Sequence, residues 1–233
     1  SESNNIHHYN WSPNSKWIVF SKDFKDSNQK ICLYNLDSKQ VTEITEGWYF
    51  SSNPIFSSDG NFIFFTSNRN FSPIWSDVEW NHAYKDMAKI YFVTVKEEIT
   101  SPFAPKSNKN EFKNEPYSID LNDISHRIEE IPVEPANYWN ISVIDNKVYY
   151  NERKHNEANY SLKMYDLSKK KETDIGDMLL YEISTDNKKM LIKKSTKFYV
   201  VDLPTSSIDL KENIDISNVK TWINKHDEWN QIF

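Results

Sequence analysis

Glycine is scarce in this chain, three residues in 233. They lie far apart at Gly47, Gly60 and Gly176, so neither a dinucleotide-binding Gly-x-Gly-x-x-Gly fingerprint nor a P-loop occurs and Gly-rich phosphate cradles are absent. A single cysteine, Cys32, rules out an internal disulfide framework and any multi-cysteine metal site. Within the apolar run KICLYNL it reads as a small buried hydrophobe. No run reaches the roughly 18 consecutive apolar residues of a membrane-spanning helix. The opening SESNNIHHYN has neither the basic nor the apolar region of a signal peptide, so no membrane span is expected. A basic excess is missing too: the net charge is -6, which argues against nucleic acid as a partner.

Aromatic residues, at 15% of the chain, are plentiful and favour strands. They sit in a repeated phrase. WSPNSKWIVF from Trp11 to Phe20 returns as FSSDGNFIFF from Phe56 to Phe65, with Trp11 matched to Phe56, Ser12 to Ser57, Ser15 to Gly60 and Trp17 to Phe62 without a gap. Weaker copies follow at VIDNKVYY (Val143 to Tyr150) and ISTDNKKMLI (Ile183 to Ile192). Each copy is a short strand, a tight turn on Asp, Asn, Ser or Gly, and a second strand. Asn and Asp tolerate the left-handed conformation, which explains the thrift with glycine. Downstream of each lies a further apolar strand: ICLYNL, IYFVTV, LKMYDL and FYVVDL. Final strands are readable in QVTEIT and RIEEIPV.

Strands recurring in this order at such a spacing predict an all-β fold of β-propeller blades. A β-sandwich with coincidentally similar hairpins is the alternative. Four consecutive blades are expected, at about 7–47, 48–135, 136–177 and 178–218, forming an open arc or partial propeller. The second is swollen by two insertions, and either 90–95 or 117–121 could be its third strand. From 219 to 233 the period changes. Trp222, Ile223, His226, Trp229, Ile232 and Phe233 take helical spacing, which predicts a short C-terminal α-helix opening a helical domain.

Residues that could carry chemistry are few. The six histidines form neither HExxH nor HxH, and no serine lies in a GxSxG elbow. Asp59, Asp145 and Asp186 recur at equivalent positions and read as turn formers rather than paired catalytic carboxylates. Lys169 to Lys171 reads as a solvated hairpin tip. NFSPIWSDVEW, in an insertion, places Phe71, Trp75 and Trp80 outside the repeated strands, as an exposed interaction loop or as a plug against its own blade. Asn-x-Ser sequons at Asn10, Asn70, Asn140 and Asn159 are expected by chance in an Asn-rich chain.

NPIFSSDGNFIFFTSNRNFSPIWSDVEW, KIYFVTV, SPFAPKS, IDLNDISHRI, IPVEPANY, NKVYYNER and DEWNQIF together resemble the bacterial tricorn-type proteases along essentially the whole chain. The resemblance is to later blades of the family's second propeller and the start of the helical domain that follows. Two positions depart from the family's glycines: Asn122-Asp123 stands where Asp-Gly is usual, and Ala136 where Gly is. The resemblance implies a parent serine peptidase whose catalytic residues lie in other domains. This chain would then hold no catalytic, cofactor or metal residue of its own. It would guide or gate peptides toward the active site. A free-standing protein-binding or scaffold propeller is the alternative. Implied partners are peptides and the remaining blades and catalytic domains of the parent chain. Since the family's propeller has seven blades, four would leave open edges, and self-association or assembly with another chain is expected. The family also points to the periplasm over the cytoplasm.

Overall fold

A computed structural model describes residues 5–75, 82–104 and 117–220, together with Asn224 and Trp229. The first antiparallel sheet is a meander of β1 (Ile6–Trp11), β2 (Trp17–Phe24), β3 (Ser27–Asn35) and β4 (Val41–Glu43). The second runs β5 (Ser51–Phe56), β6 (Phe62–Asn68), then a small hairpin of β7 (Pro73–Trp75) and β8 (His82–Tyr84), then β9 (Ala88–Thr94) and β10 (Ile128–Glu130). Within the sheet the order is β5-β6-β9-β10, with the hairpin standing apart as its own two-stranded ribbon. The third sheet is β11 (Asn137–Ile144), β12 (Lys147–Arg153), β13 (Ser161–Asp166) and β14 (Lys171–Asp177). The fourth has three strands, β15 (Leu179–Ile183), β16 (Lys189–Lys194) and β17 (Lys197–Asp202).

Three separate apolar cores lie between successive sheets. Trp17, Val19, Ile31 and Leu33 of the first sheet meet Phe56, Ile63, Phe65 and Val93 of the second. Phe64, Ile90 and Phe92, on the second sheet's other face, meet Tyr138, Val148 and Tyr150 of the third. Tyr149, Leu162 and Met164 of the third then meet Tyr181, Met190 and Ile192 of the fourth. Adjacent residues such as Phe64 and Phe65 are both fully buried because alternate side chains feed opposite cores. A sandwich has one such interface; a series of sheets each packed on the next is a β-propeller arrangement, and the sandwich alternative falls.

The repeated phrase is a repeated set of hydrogen bonds. In the first, second and fourth sheets the opening serine (Ser12, Ser57, Ser184) donates to the turn residue two positions on, at 2.7, 2.5 and 2.6 Å. The same hydroxyl accepts the backbone N–H of Trp17, Phe62 and Lys189 at 2.9, 3.0 and 2.9 Å. Ser15, Gly60 and Asn187 close these turns with positive φ. The third sheet shortens the loop to Asp145-Asn146, with Ile144 paired directly to Lys147 and Asp145 at φ 51°.

Of the two candidates for a third strand in the second sheet, 88–94 pairs along β6, and 117–121 is a connection instead. Tyr117 anchors that connection by donating its hydroxyl to the Gly60 carbonyl at 3.0 Å. Arg127 ties it down through the carbonyls of Asp120, Asn122 and Thr94 at 2.6, 2.6 and 3.1 Å. Asp123 takes φ 49°, the conformation a glycine there would supply. The expected helix over 219–233 lies outside the described residues apart from Val219, Lys220, Asn224 and Trp229.

Candidate functional site

β1, β5, β11 and β15 each open their sheet and pair on one side only, so each has one edge whose backbone N–H and C=O groups lie outside the strand ladder, some of them taken by side chains. Segments of all four strands line one cavity of about 660 Å³. His8 to Asn10, Asn53 to Ile55, Trp139 to Ile141 and Leu180 to Glu182 form its wall, and Leu191, Lys193 and Phe198 extend it onto the outer face of the fourth sheet. The lining is mostly neutral, a mixture of aromatic, amide-bearing and aliphatic side chains. A cavity bounded by the first strands of successive blades is the axial space of a propeller.

Three of the four lining strands carry a bulge at the cavity. His8, Asn53 and Asn140 have φ of 32°, 52° and 51°, and the strand register slips at each. Bulges bend a strand and re-aim its side chains. The first and third reach across to the next sheet: His8 Nδ1 lies 3.3 Å from Ser52 Oγ, and Asn140 Nδ2 donates to the Tyr181 carbonyl at 2.9 Å. Asn53 instead donates to Thr66 Oγ1 within its own sheet at 3.3 Å. Asn10 accepts the Phe56 N–H at 3.0 Å, tying the first two inner strands together once more.

The Ser52–His8 contact is not a nucleophile and base. Ser52 is buried in β5, and among the described residues no carboxylate is hydrogen-bonded to His8; Asp23 pairs with the neighbouring His7 Nε2 at 2.8 Å. Among the described residues no group of three or more His, Cys, Asp or Glu could hold a metal ion. The most buried acid–base contact, Lys163 with Glu152 at 3.0 Å and Glu172 at 3.3 Å, lies within the third sheet. Burial pushes the Glu152 carboxyl above its usual range despite the lysine, and it braces strands rather than a site. Cys32 is fully buried, and burial pushes its thiol up to about 12, so it stays protonated.

Of the three residues singled out in the insertion, Phe71 is half exposed. Its ring lies 5.8 Å from Tyr49 and 5.8 Å from Tyr84, the latter edge to face. Trp75 ends β7, and Trp80 lies outside the described residues. Sequence reasoning missed Arg69 beside them, whose guanidinium carbon sits 5.4 Å from the Tyr49 ring and 4.7 Å from the Tyr91 ring. It also missed the bulge residues, although His8 and Asn53 occupy matching positions in the ungapped repeat.

Set beside known proteins, residues 1–204 match the family described as the tricorn protease second beta propeller domain. The chain belongs to that family. A tricorn protease homolog of Saccharolobus solfataricus is 28% identical over all of this chain and 23% of its own length. Tricorn protease homolog 1 of Streptomyces coelicolor is 24% identical over 96% of this chain and 24% of its own. The crystal structure of the tricorn protease superposes with a TM-score of 0.74 at 21% identity, over 87% of this chain and 21% of that one. A TolB structure from Acinetobacter baumannii shares the fold more loosely, with a TM-score of 0.56 at 13% identity over 87% of this chain and 41% of that one. This tricorn propeller chain therefore spans about a quarter of the length of those curated relatives.

Proposed function

We propose that this chain is the non-catalytic propeller part of a tricorn-type peptidase and guides extended peptides along its axial cavity toward a catalytic domain elsewhere in the parent protein. The observation that supports it is the convergence of four one-sided edge strands on one weakly charged cavity. Edge strands offer main-chain hydrogen bonds to any extended chain whatever its side chains, and a folded domain does not fit a space of this size. Passage is then selected by shape. The uncovered outer faces of the first and fourth sheets fit the same reading, because further blades would pack there.

Narrowing the cavity tests it. In the parent peptidase, Asn53→Trp combined with Leu180→Trp should slow turnover of peptides longer than about ten residues by at least tenfold, roughly 1.4 kcal/mol of barrier. Turnover of a short chromogenic peptide should stay unchanged. Equal loss on both substrates, or on neither, would remove the guiding role.

A further inference from the structure

A second small cleft lies between the first and second sheets, where residues 44–50 cross from the outer strand β4 to the inner strand β5. It encloses about 140 Å³ and is lined by Thr45 to Tyr49, Arg69, Ser125 and Ile128. Arg69 is its principal feature. The guanidinium lies over the rings of both Tyr49 and Tyr91, and Nε donates to Ser67 Oγ at 3.2 Å. Among the described residues no carboxylate comes within ion-pair distance of it. Glu46, which lines the same cleft, stays beyond that reach.

Burial draws the Arg69 pKa below the usual arginine range, offset only in part by the two tyrosines and by Glu46, which acts on it from beyond ion-pair distance. Among the described residues Nε alone makes a hydrogen bond, to Ser67, so the two terminal nitrogens are left for an acceptor such as a carboxylate. An aromatic ladder leads away from it: Tyr49 to Phe71 at 5.8 Å, then Phe71 to Tyr84 at 5.8 Å, with Phe71 52% and Tyr84 49% exposed. Trp48, 78% exposed, flanks the cleft. An extended chain advances about 3.3 Å per residue, so two or three residues would span the ladder.

We propose that this cleft binds the C-terminal carboxylate of an extended peptide, Arg69 taking the carboxylate and the Tyr49, Phe71 and Tyr84 rings taking apolar side chains just before it. A chain terminus suits the cleft better than an internal acidic side chain, because the space holds about one residue and the ladder receives what precedes it. The site is separate from the axial cavity and does not need the guiding role.

Calorimetric titration of the 233-residue chain with acetyl-Ala-Ala-Ala-Leu-Leu-Phe tests this, as free acid and as C-terminal amide. The free acid should bind with a Kd of about 10–100 µM, and the amide about tenfold to a hundredfold more weakly. An amidated peptide with one internal Asp should bind like the plain amide. Arg69→Gln should erase the difference between acid and amide, with a thermal melt confirming the fold. Phe71→Ala, at a half-exposed ring whose loss leaves the fold intact, should weaken acid and amide alike. Equal binding of acid and amide to the unaltered chain, an acid preference that survives Arg69→Gln, tight binding of the internal-Asp amide, or indifference to Phe71→Ala would each overturn the proposal.

Discussion

Asn140 and Tyr181 hold each other across the third and fourth sheets by reciprocal bonds: the Asn140 amide donates to the Tyr181 carbonyl at 2.9 Å, and the Tyr181 hydroxyl donates back to the Asn140 carbonyl. Asn140 can do this because the bulge at φ 51° turns its side chain out of the ladder and toward the neighbouring blade. The clamp sits on the wall of the axial cavity. It ties the third and fourth blades together at that wall.

Removing the Tyr181 hydroxyl takes this donor from the half-buried Asn140 carbonyl. Tyr181→Phe should lower stability by about 0.5–1.5 kcal/mol in urea denaturation, the usual net worth of one hydrogen bond. pH adds a second readout. Burial raises the Tyr181 pKa, so the folded chain keeps its proton where the unfolded chain begins to lose it near pH 10. The stability this supplies is full below pH 10 and is lost as pH rises above it. Tyr181→Phe should accordingly flatten the loss of stability between pH 9 and 11 as well as lower the plateau. An unchanged alkaline slope would mean that the hydroxyl does not carry the coupling.

The hairpin serines and Gly60 make a sharper comparison. Ser57→Ala deletes one hydroxyl that both donates to Asp59 and accepts from Phe62, and should cost about 1–2 kcal/mol. Gly60→Ala should cost more, about 2–3 kcal/mol, for two reasons. The residue sits at φ 74°, and an added Cβ would fall 2.4 Å from Cε2 of Tyr117. Displacing that ring would also break its bond to the Gly60 carbonyl and loosen the connection it anchors. Thermal melts of both variants check the order; Ser57→Ala proving the more damaging would show that Tyr117 is not an anchor.

Most of the blade architecture was readable because it rests on local chemistry repeated in register. Ser12, Ser57 and Ser184 lie two residues before an Asn or Asp, and each hairpin follows from that spacing alone. What the sequence hid depends on contacts between distant segments. YSIDL at 117–121 has strand composition, yet it is held as a connection by Tyr117 on Gly60 and by Arg127. The cavity wall was hidden for another reason: a bulge shifts strand register by one residue and so reverses which side chains face the axis. Nothing local marks Arg69, because only the fold brings the Tyr49 and Tyr91 rings to its guanidinium.

The first sheet's outer face supplies the last prediction. By the ungapped repeat and the strand pairing, its Trp11, Ile18, Tyr34 and Val41 correspond to Phe56, Ile63, Val93 and Ile128 of the second sheet. In the second sheet that set packs against the first sheet's Val19 and Leu33. In the first sheet the same positions face outward, with Trp11 48% and Val41 56% exposed. At the other end, the fourth sheet offers Leu191 and Val200 where the first has Val19 and Leu33, but Lys189 where it has Trp17. The two open faces are thus halves of one kind of interface, and head-to-tail contact between copies is the expected use in the isolated chain. Lys189, paired to Asp202 at 2.6 Å, must be accommodated at that contact and weakens it. Sedimentation velocity from about 1 to 100 µM should show reversible association. Trp11→Glu should abolish it without unfolding the chain, and Lys189→Leu should strengthen it. A monomer throughout, with one cooperative melt, would mean that these faces stay wet and that packing between blades does not extend past the four sheets.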